Sequence, residues 1–546
     1  MLSSKQENYK KILTDASDLA NVCNCTATSQ NSLKDLYAKV NTFKVVIPII
    51  GLFSAGKTSL INKFLEEDIF SVNVTPETTL ATEIVYGISN KLVLYKNETE
   101  YEEKSLDYLG KIDAKDYLYQ RVYLNKNVLK KYPEIVLVDM PGIDSGLETH
   151  NKAILNYINR GNRFILIVDV EDGTIKETNL NFLREILSYG QSIDVLINKI
   201  DKKPDPEVNE IYNQIKSTIS SRISSNIFVG KTSTMNNNIQ DFLSIIESVN
   251  FDEHVHEALH QGIKSTITQA KKETELYLKN IDVDVSEIDR QIKEIEHEKE
   301  KFKDKIDYEK IEFSNKLSST AVDNIIKEVK NTLKINSNQL ATLLKSGNTE
   351  SLKMSINELL RPVLVNSTEE SVRNILKDTF ENLNMNFESL TTIVPGSPSD
   401  QTDLVSKLAS KEFNIMFKTL IGALGLATTV VAPWLEIIIL FLPEILKMFG
   451  LGSGNGIASY ISKIENDLIP QVCAELRSKV KDSLQTLKDK VFKNIEDDFV
   501  VKMNNFTLIL EKLTNEKNTN IQFSQSQIDN FKIYIDQWNT LLNALD

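Results

Sequence analysis

Cysteine is scarce in this chain: three among 546 residues, Cys23, Cys25 and Cys473. That excludes a disulfide framework, and Cys23 and Cys25 have no second pair nearby to complete a zinc site. The opening Met1-Leu2-Ser3-Ser4-Lys5-Gln6-Glu7 lacks the apolar core of a signal peptide. A reduced, cytoplasmic protein is the simplest expectation. Positive charge is also in deficit. Lys and Arg number 63 against 76 Asp and Glu, for a net charge of −13. A general nucleic-acid role is disfavoured, and any contact with anionic lipid must come from a local basic patch. Long apolar runs are missing too. The longest charge-free stretch, Thr419 to Leu435, has 17 residues, short of the roughly 20 a membrane span needs. What remains is an ordinary folded composition, 41% hydrophobic and 25% charged, long enough for two to four domains.

The most informative segment is Gly51-Leu52-Phe53-Ser54-Ala55-Gly56-Lys57-Thr58. An apolar run, Phe43 to Ile50, precedes it and reads as a buried parallel strand. Ser59 to Leu65 follows and reads as the start of a helix. Strand, glycine loop and helix are the context of a phosphate-binding loop. Its backbone N–H groups, including those of Gly51, Ser54, Ala55, Gly56 and Ser59, can face phosphates at the positive end of the helix. Lys57 can reach the β- and γ-phosphates, and the Thr58 hydroxyl can hold Mg2+. A second strand, Glu134 to Val138, runs into Asp139-Met140-Pro141-Gly142. Asp139 can hold Mg2+ through water, and the Gly142 N–H can sense a γ-phosphate. A third strand, Ser192 to Ile197, ends in Asn198-Lys199-Ile200-Asp201. The Asp201 carboxylate can accept from guanine N1 and N2, a donor pair that adenine lacks. Lys199 can pack over the base while Asn198 braces the loops. Three such motifs in order, each at a strand end, point to GTP as substrate.

At these residues the chain resembles the bacterial dynamin-like large GTPases. The P-loop form Gly-x-Phe-Ser-Ala-Gly-Lys-Thr-Ser-Leu-Ile-Asn carries the likeness. So do Pro76-Glu77-Thr78-Thr79-Leu80-Ala81-Thr82-Glu83-Ile84, similar to the family's switch I, and the DxPG motif. Size and helical tail are compatible with the LeoA type. The resemblance implies a GTP-hydrolysing mechanoenzyme, with Thr79 completing the Mg2+ site. It implies an α/β P-loop GTPase head (a mostly parallel sheet with helices on both faces). An extended all-α helical-bundle stalk with a hydrophobic hairpin tip is expected beside it. Head-to-head self-association, membrane lipid, and a second dynamin-like or operon partner are the implied partners besides GTP and GDP. The expected location is cytoplasmic and peripheral at a membrane, and the implied outcome is membrane remodelling, with vesicle release or secretion among its forms.

The expected organisation is an N-terminal helix over 1–41 that packs with the stalk, and a GTPase domain over 42–250. A helical neck and trunk over 251–400 and an apolar helical region over 401–460 follow. Helices over 461–546 then return to the neck. Apolar residues at Ile281, Val285, Ile288, Ile292, Ile295, Phe302 and Ile306 predict a long amphipathic helix, interrupted once by Lys299. Ile528, Phe531, Ile535, Trp538, Leu542 and Leu545 predict another, with Trp538 as a packing residue. The charged stretch 97–116 is expected to be an exposed insertion. After the strand Ile227-Phe228-Val229, Gly230 and Lys231 stand where the family has a Ser-Ala-Lys form, without the serine.

Two readings compete for the hairpin, about 413–451. It is either a membrane-inserting tip, called a paddle in the family, bearing Leu426, Trp434, Ile438, Leu440 and Phe441, or the buried core of a second helical domain. The rival to a membrane machine is a soluble regulatory GTPase whose tail binds a protein partner. The sequence His256-Glu257-Ala258-Leu259-His260 matches a zinc-protease pattern, but no third ligand is in reach and a solvated helical face is expected there. Ile143 occupies the place of the water-orienting glutamine of many small GTPases, so Thr79 and the Ser54 region are the candidates to place the water. The resemblance suggests that a monovalent cation or a partner head supplies further charge near Ser54. Lys57 and Asp201 are expected to face solvent.

Overall fold

The computed structural model describes all residues except 1–2, 53, 72–79, 98–99, 112–115, 143–156, 158–159, 189–190, 348, 384–433, 435–455, 520–524 and 546. The chain begins with α1 (Ser4–Val22) and α2 (Ala27–Thr42), and then enters a sheet. The strands are β1 (Val45–Gly51), β2 (Thr82–Tyr86), β3 (Lys91–Tyr95), β4 (Tyr101–Lys104), β5 (Tyr119–Leu124), β6 (Ile135–Asp139), β7 (Arg163–Asp169), β8 (Ser192–Asn198) and β9 (Val229–Lys231). Between them lie α3 (Lys57–Leu65), α4 (Asn127–Lys131), α5 (Glu177–Ser188) and α6 (Asp205–Arg222), and α7 (Gln240–Glu247) follows β9. The rest is helical: α8 (Phe251–Asn280), α9 (Val285–Lys316), α10 (Val322–Ile335), α11 (Ser337–Lys345), α12 (Thr349–Leu383), α13 (Ile457–Lys463), α14 (Ile469–Asn518) and α15 (Gln525–Asn543).

The nine strands are ordered β4-β3-β5-β2-β6-β1-β7-β8-β9. From β6 to β9 all pairings are parallel. β2 pairs antiparallel with β6 but parallel with β5, and β3 and β4 add an antiparallel margin. The central strands are apolar on both faces because both faces are covered. Ile50, Val136, Val138, Leu166, Val168, Val195 and Ile197 belong to one core, and Ile47, Ile49, Ile135, Leu137, Ile165, Ile167 and Leu196 to the other. The two sets alternate along each strand, as strand geometry requires. Within the stretch expected as an exposed insertion, Tyr101–Lys104 forms the edge strand. Its Glu102, Glu103 and Lys104 keep that edge polar, which blocks pairing with other chains.

The first core is continuous with the trunk. α5, on the face of the sheet, packs on α12, and the same apolar cluster runs through α9, α10, α12 and α14. α9 and α14 form the long seam. Phe302 stacks on Phe499 with ring centroids 3.7 Å apart, and Phe313 meets Phe492 edge-on at 5.5 Å. Lys299, the interruption in the apolar stripe, lies at the rim of this seam and donates to Asn504 on α14. The helix expected to run through Ile281 instead breaks there. α8 ends at Asn280 and α9 starts at Val285, with Ile281 buried in the corner.

A third core joins the two chain ends. Tyr9, Leu13, Ala16 and Ala20 of α1, Ile263 and Ile267 of α8, and Trp538 of α15 lie in it together. The single helix expected over 1–41 is two. Asn24 adopts a left-handed φ of 54°, and Thr26 caps α2 by accepting from Ser29 N. Glu273 of α8, fully buried, fastens this corner: its carboxylate accepts from Thr26 N, Thr26 Oγ1, Ser29 Oγ and Gln269 Nε2. Burial raises its pKa, opposed by these donors. Of the zinc-like histidines, His256 is exposed and His260 faces the same core. The Tyr9 hydroxyl hydrogen-bonds Nδ1 of both His256, at 2.9 Å, and His260, at 3.0 Å. His260 is therefore buried rather than on a solvated face, because α1 covers that side of α8.

Trp434 bears on the two readings of the hairpin. Of the two readings, membrane tip or buried core, this residue fits the second in this structure: it is fully buried and its Nε1 donates to Ser483 Oγ on α14 at 3.0 Å. A charge-free run is equally suited to a protein interior, and at this residue α14 supplies the cover. Leu426, Ile438, Leu440 and Phe441 lie outside the described residues. Among the described residues no helix is long and apolar enough to cross a membrane.

Trp538 also donates through Nε1, to Thr274 Oγ1 at 3.0 Å. Trp538→Ala removes a fully buried indole and the bond it donates to Thr274, whose hydroxyl keeps its own bond to the Ala270 carbonyl. It is expected to lower unfolding stability by about 3–5 kcal/mol, read from the first transition in chemical denaturation. A loss below ~1 kcal/mol would show that the two chain ends do not share one core.

Candidate guanine-nucleotide site

The motifs meet because β6, β1, β7 and β8 run parallel and end on one edge of the sheet. Ile49 pairs with Asp139, Gly51 with Ile167, and Asp169 with Asn198. After β1 the backbone turns tightly. Ser54 has φ 63° and is exposed, and Gly56 has φ 92°. A side chain at Gly56 is excluded on two counts. The conformation is left-handed, and a Cβ there would lie 2.4 Å from Asn198 Nδ2. Gly51 is equally constrained, since its Cβ would stand 2.5 Å from the Ile167 carbonyl oxygen. Lys57, Thr58 and Ser59 then open α3, whose N-terminus faces the loop.

Lys57 is not solvent-facing as expected. It is 8% exposed, and its Nζ donates to the Gly51 carbonyl at 3.0 Å and the Leu52 carbonyl at 3.2 Å. Burial lowers its pKa, with the Asp139 charge opposing the change. The ammonium thus sits inside the curl of the loop, held by carbonyl dipoles that a phosphate can outcompete. Thr58 Oγ1 donates to Asp139 Oδ2 at 2.7 Å. Asp139 Oδ1 is buried with no hydrogen-bond partner, and burial raises the Asp139 pKa. A buried carboxylate oxygen without a donor is costly. Beside a hydroxyl and a loop built for phosphate, it belongs to a donor set that could hold Mg2+. Met140 and Gly142 are buried next to it, whereas Thr79 and Ile143 lie outside the described residues.

The base-recognition side is assembled from β8 and β9. Asn198, fully enclosed, donates through Nδ2 to the Ala55 carbonyl at 2.9 Å and accepts from Thr232 Oγ1 at 3.1 Å. It ties the P-loop to the loop after β9. Lys199 is held in a left-handed conformation, φ 62°, and its Nζ donates to Asp169 Oδ2 at 2.6 Å. Its stem passes the P-loop, with Cε 3.7 Å from the Cβ position of Gly56. Asp201 is exposed and accepts from Ser233 Oγ at 2.5 Å.

At the degenerate fifth motif the geometry places the neighbouring residues as well. Gly230 is a packing glycine: a Cβ would lie 2.8 Å from both Asp241 Cβ and Leu196 Cδ2. The Lys231 side chain turns to α6, where Nζ donates to Asn209 Oδ1 and lies 5.1 Å from the Tyr212 ring centroid. The residues that meet Asn198 and Asp201 are Thr232 and Ser233. The available signal was a hydroxyl pair directly after the β9 strand, in place of the serine sought earlier.

The fold and this edge define a P-loop nucleotide-binding domain of the guanine-specific kind. Residues 47–200 match the family model described as the dynamin family. The chain is 26% identical over 221 residues to an uncharacterised protein in the xynA 3' region of Caldicellulosiruptor sp. (strain Rt8B.4), covering 38% of this chain and 52% of that one. It is 24% identical over 169 residues to dynamin-like protein A of Bacillus subtilis (strain 168), 30% of this chain and 14% of that one. It is also 25% identical over 189 residues to EH domain-containing protein 3 of Rattus norvegicus, 31% and 33% of the two chains. It thus spans about half or less of the length of these relatives. Among solved structures, a bacterial dynamin pair described as a mechanism for long-range sensing and tethering of membranes is 16% identical. That alignment has a TM-score of 0.42 and covers 99% of this chain and 82% of the other. Residues 47–200 thus resemble the nucleotide-binding domain of the dynamin family.

Ser233→Ala removes the donor that orients Asp201. Guanine-nucleotide affinity is expected to fall about tenfold, the equivalent of roughly 1.4 kcal/mol, by titration with fluorescent GDP. An unchanged Kd would mean that Asp201 is placed without Ser233.

Proposed function

We propose that this protein binds GTP and hydrolyses it to GDP and phosphate, and that its heads couple the cycle to movement of the helical trunk. The observation that carries the reading is the convergence of Lys57, Thr58, Asp139, Asn198 and Asp201 on one edge of the sheet. Lys57 would exchange its carbonyl partners for the β- and γ-phosphate oxygens and offset charge as the bond to the leaving phosphate breaks. The N–H groups from Ser54 to Ser59 would cradle the phosphates, and Gly142 N–H would read the γ-phosphate. Asp201 would select guanine, with Lys199 over the base. Thr58 and Asp139 would hold Mg2+, with Thr79 completing the set, and the ion supplies electrostatic stabilisation of the phosphates. With Ile143 unable to orient water, Thr79 and the Ser54 region would do so. A partner head or a monovalent cation near Ser54 would add charge.

The membrane part of the reading has two forms. In the first, the segment about 413–451 engages lipid, and the protein remodels or tethers membrane; sensing and tethering of membranes is what is said of the bacterial dynamin pair. Peripheral attachment from the cytoplasm, and work with a second dynamin-like partner, belong to this form. In the second the protein is a soluble regulatory GTPase whose tail binds a protein. Burial of Trp434 against α14 favours a segment that is packed in at least this arrangement. Lipid engagement would then need its release.

The test is GTP turnover by the full chain with and without liposomes. Lys57→Ala is expected to lower turnover at least 100-fold. Because the Lys57 ammonium is buried on carbonyls, removing it also opens a small void, so the variant's melting temperature must be measured alongside. Liposome stimulation with co-sedimentation supports the membrane form. Turnover without either favours the regulatory form, and wild-type protein without GTP turnover overturns the proposal.

A further inference from the structure

The sheet holds a buried ionic cluster that the scheme above does not use. Glu83 on β2 is fully buried. Its Oε2 accepts from Arg121 Nε at 2.6 Å, and its Oε1 accepts from the Tyr157 hydroxyl at 2.8 Å and from Arg160 Nη2 at 3.1 Å. Arg121 is the direct register partner of Glu83 on β5. Tyr157 and Arg160 arrive from elsewhere, on the approach to β7. Aromatic rings enclose the cations: the Arg160 guanidinium lies 4.1 Å from the Tyr119 ring centroid, and that of Arg121 5.3 Å from Tyr95. Burial pulls the Arg160 pKa down, and the neighbouring Tyr157 and Glu83 more than reverse it.

The position of the cluster gives it meaning. Glu83 follows Thr82, which pairs with Asp139 across the antiparallel β2–β6 contact, while Glu83 itself pairs with Val138. β2 is the strand into which the chain passes after Thr79. Tyr157 and Arg160 lie on the chain after Asp139 and Gly142. One carboxylate therefore ties β2, which follows Thr79 in the sequence, to Tyr157 and Arg160, which follow Gly142. A buried ion pair is weak evidence of stability, since an apolar pair can serve as well. Its advantage is that the charges are satisfied in only one arrangement.

We propose that Glu83 is a positioning residue for GTP hydrolysis: it locks β2, which follows Thr79, to Tyr157 and Arg160, which follow Gly142, and so sets the hydrolysis-competent arrangement. The inference rests on the GTPase reading above. The experiment measures steady-state kcat and KM for GTP, Kd for fluorescent GDP, and melting temperature. It uses the full wild-type chain, Glu83→Gln and Tyr157→Phe. Glu83→Gln is expected to lower kcat at least tenfold, with KM and GDP Kd within threefold of wild type. Tyr157→Phe keeps both ion pairs and is expected to lower kcat about threefold with the same split. Unchanged kcat in folded Glu83→Gln overturns the proposal. So does a loss of kcat matched by loss of GDP affinity, the signature of a merely structural role. If Glu83→Gln does not fold, Tyr157→Phe decides: unchanged kcat overturns the proposal and the kcat-only loss supports it. A wild-type chain that turns over no GTP overturns the GTPase reading itself, whereas wild-type turnover with normal variants overturns only this inference.

Discussion

Strand β1 is hydrogen-bonded in parallel to β6 on one side and β7 on the other, and the rest of the head follows from that pairing. Parallel strands end on the same edge, so residues far apart in sequence are delivered to one place. The register leaves no slack, with Ile49 beside Asp139 and Gly51 beside Ile167. A shift of one residue would turn every side chain of β1 to the opposite face and move Thr58 away from Asp139. The close approach of Gly56 to Asn198 locks the same edge from above, and only glycine permits it.

Buried polar groups then specify what apolar packing alone leaves loose. Asn198 joins the P-loop to the loop after β9 through two hydrogen bonds. Glu273 holds the α1–α2 corner on α8, and Glu83 draws β2, β5 and the Tyr157–Arg160 stretch together. In each case a polar side chain with several partners is placed where the chain changes direction. Such groups are satisfied in few geometries, which makes them suited to positioning. Asp139 differs, because one of its oxygens is left without a partner. It is the group in this edge that calls for something more than protein.

The trunk uses simpler physics. Apolar residues at helical spacing on α9 and α14 interdigitate along a seam marked by Phe302–Phe499 and Phe313–Phe492. The head joins the same apolar continuum through α5 and α12. Any motion of the trunk relative to the head would have to repack this contact.

Local pattern made much of this legible in the sequence. Strand-loop-helix context and motif spacing identified the P-loop, the Asp139 strand and the Asn198 strand, because those features are encoded within ten or so residues. Helical periodicity gave the α9 stripe and the returning C-terminal helix for the same reason. The residues that needed distance information were missed. Ser233 meets Asp201 only because β9 lies beside β8, and Lys57 is buried only because its loop closes over it. Trp434 reads as a tip residue in a charge-free run, and α14, supplied by a later part of the chain, makes it interior. The amino-acid order alone determined which chemistry is available and on which elements. Tertiary packing decided which side chains meet, since hydrogen bonding and burial depend on neighbours that no local pattern contains.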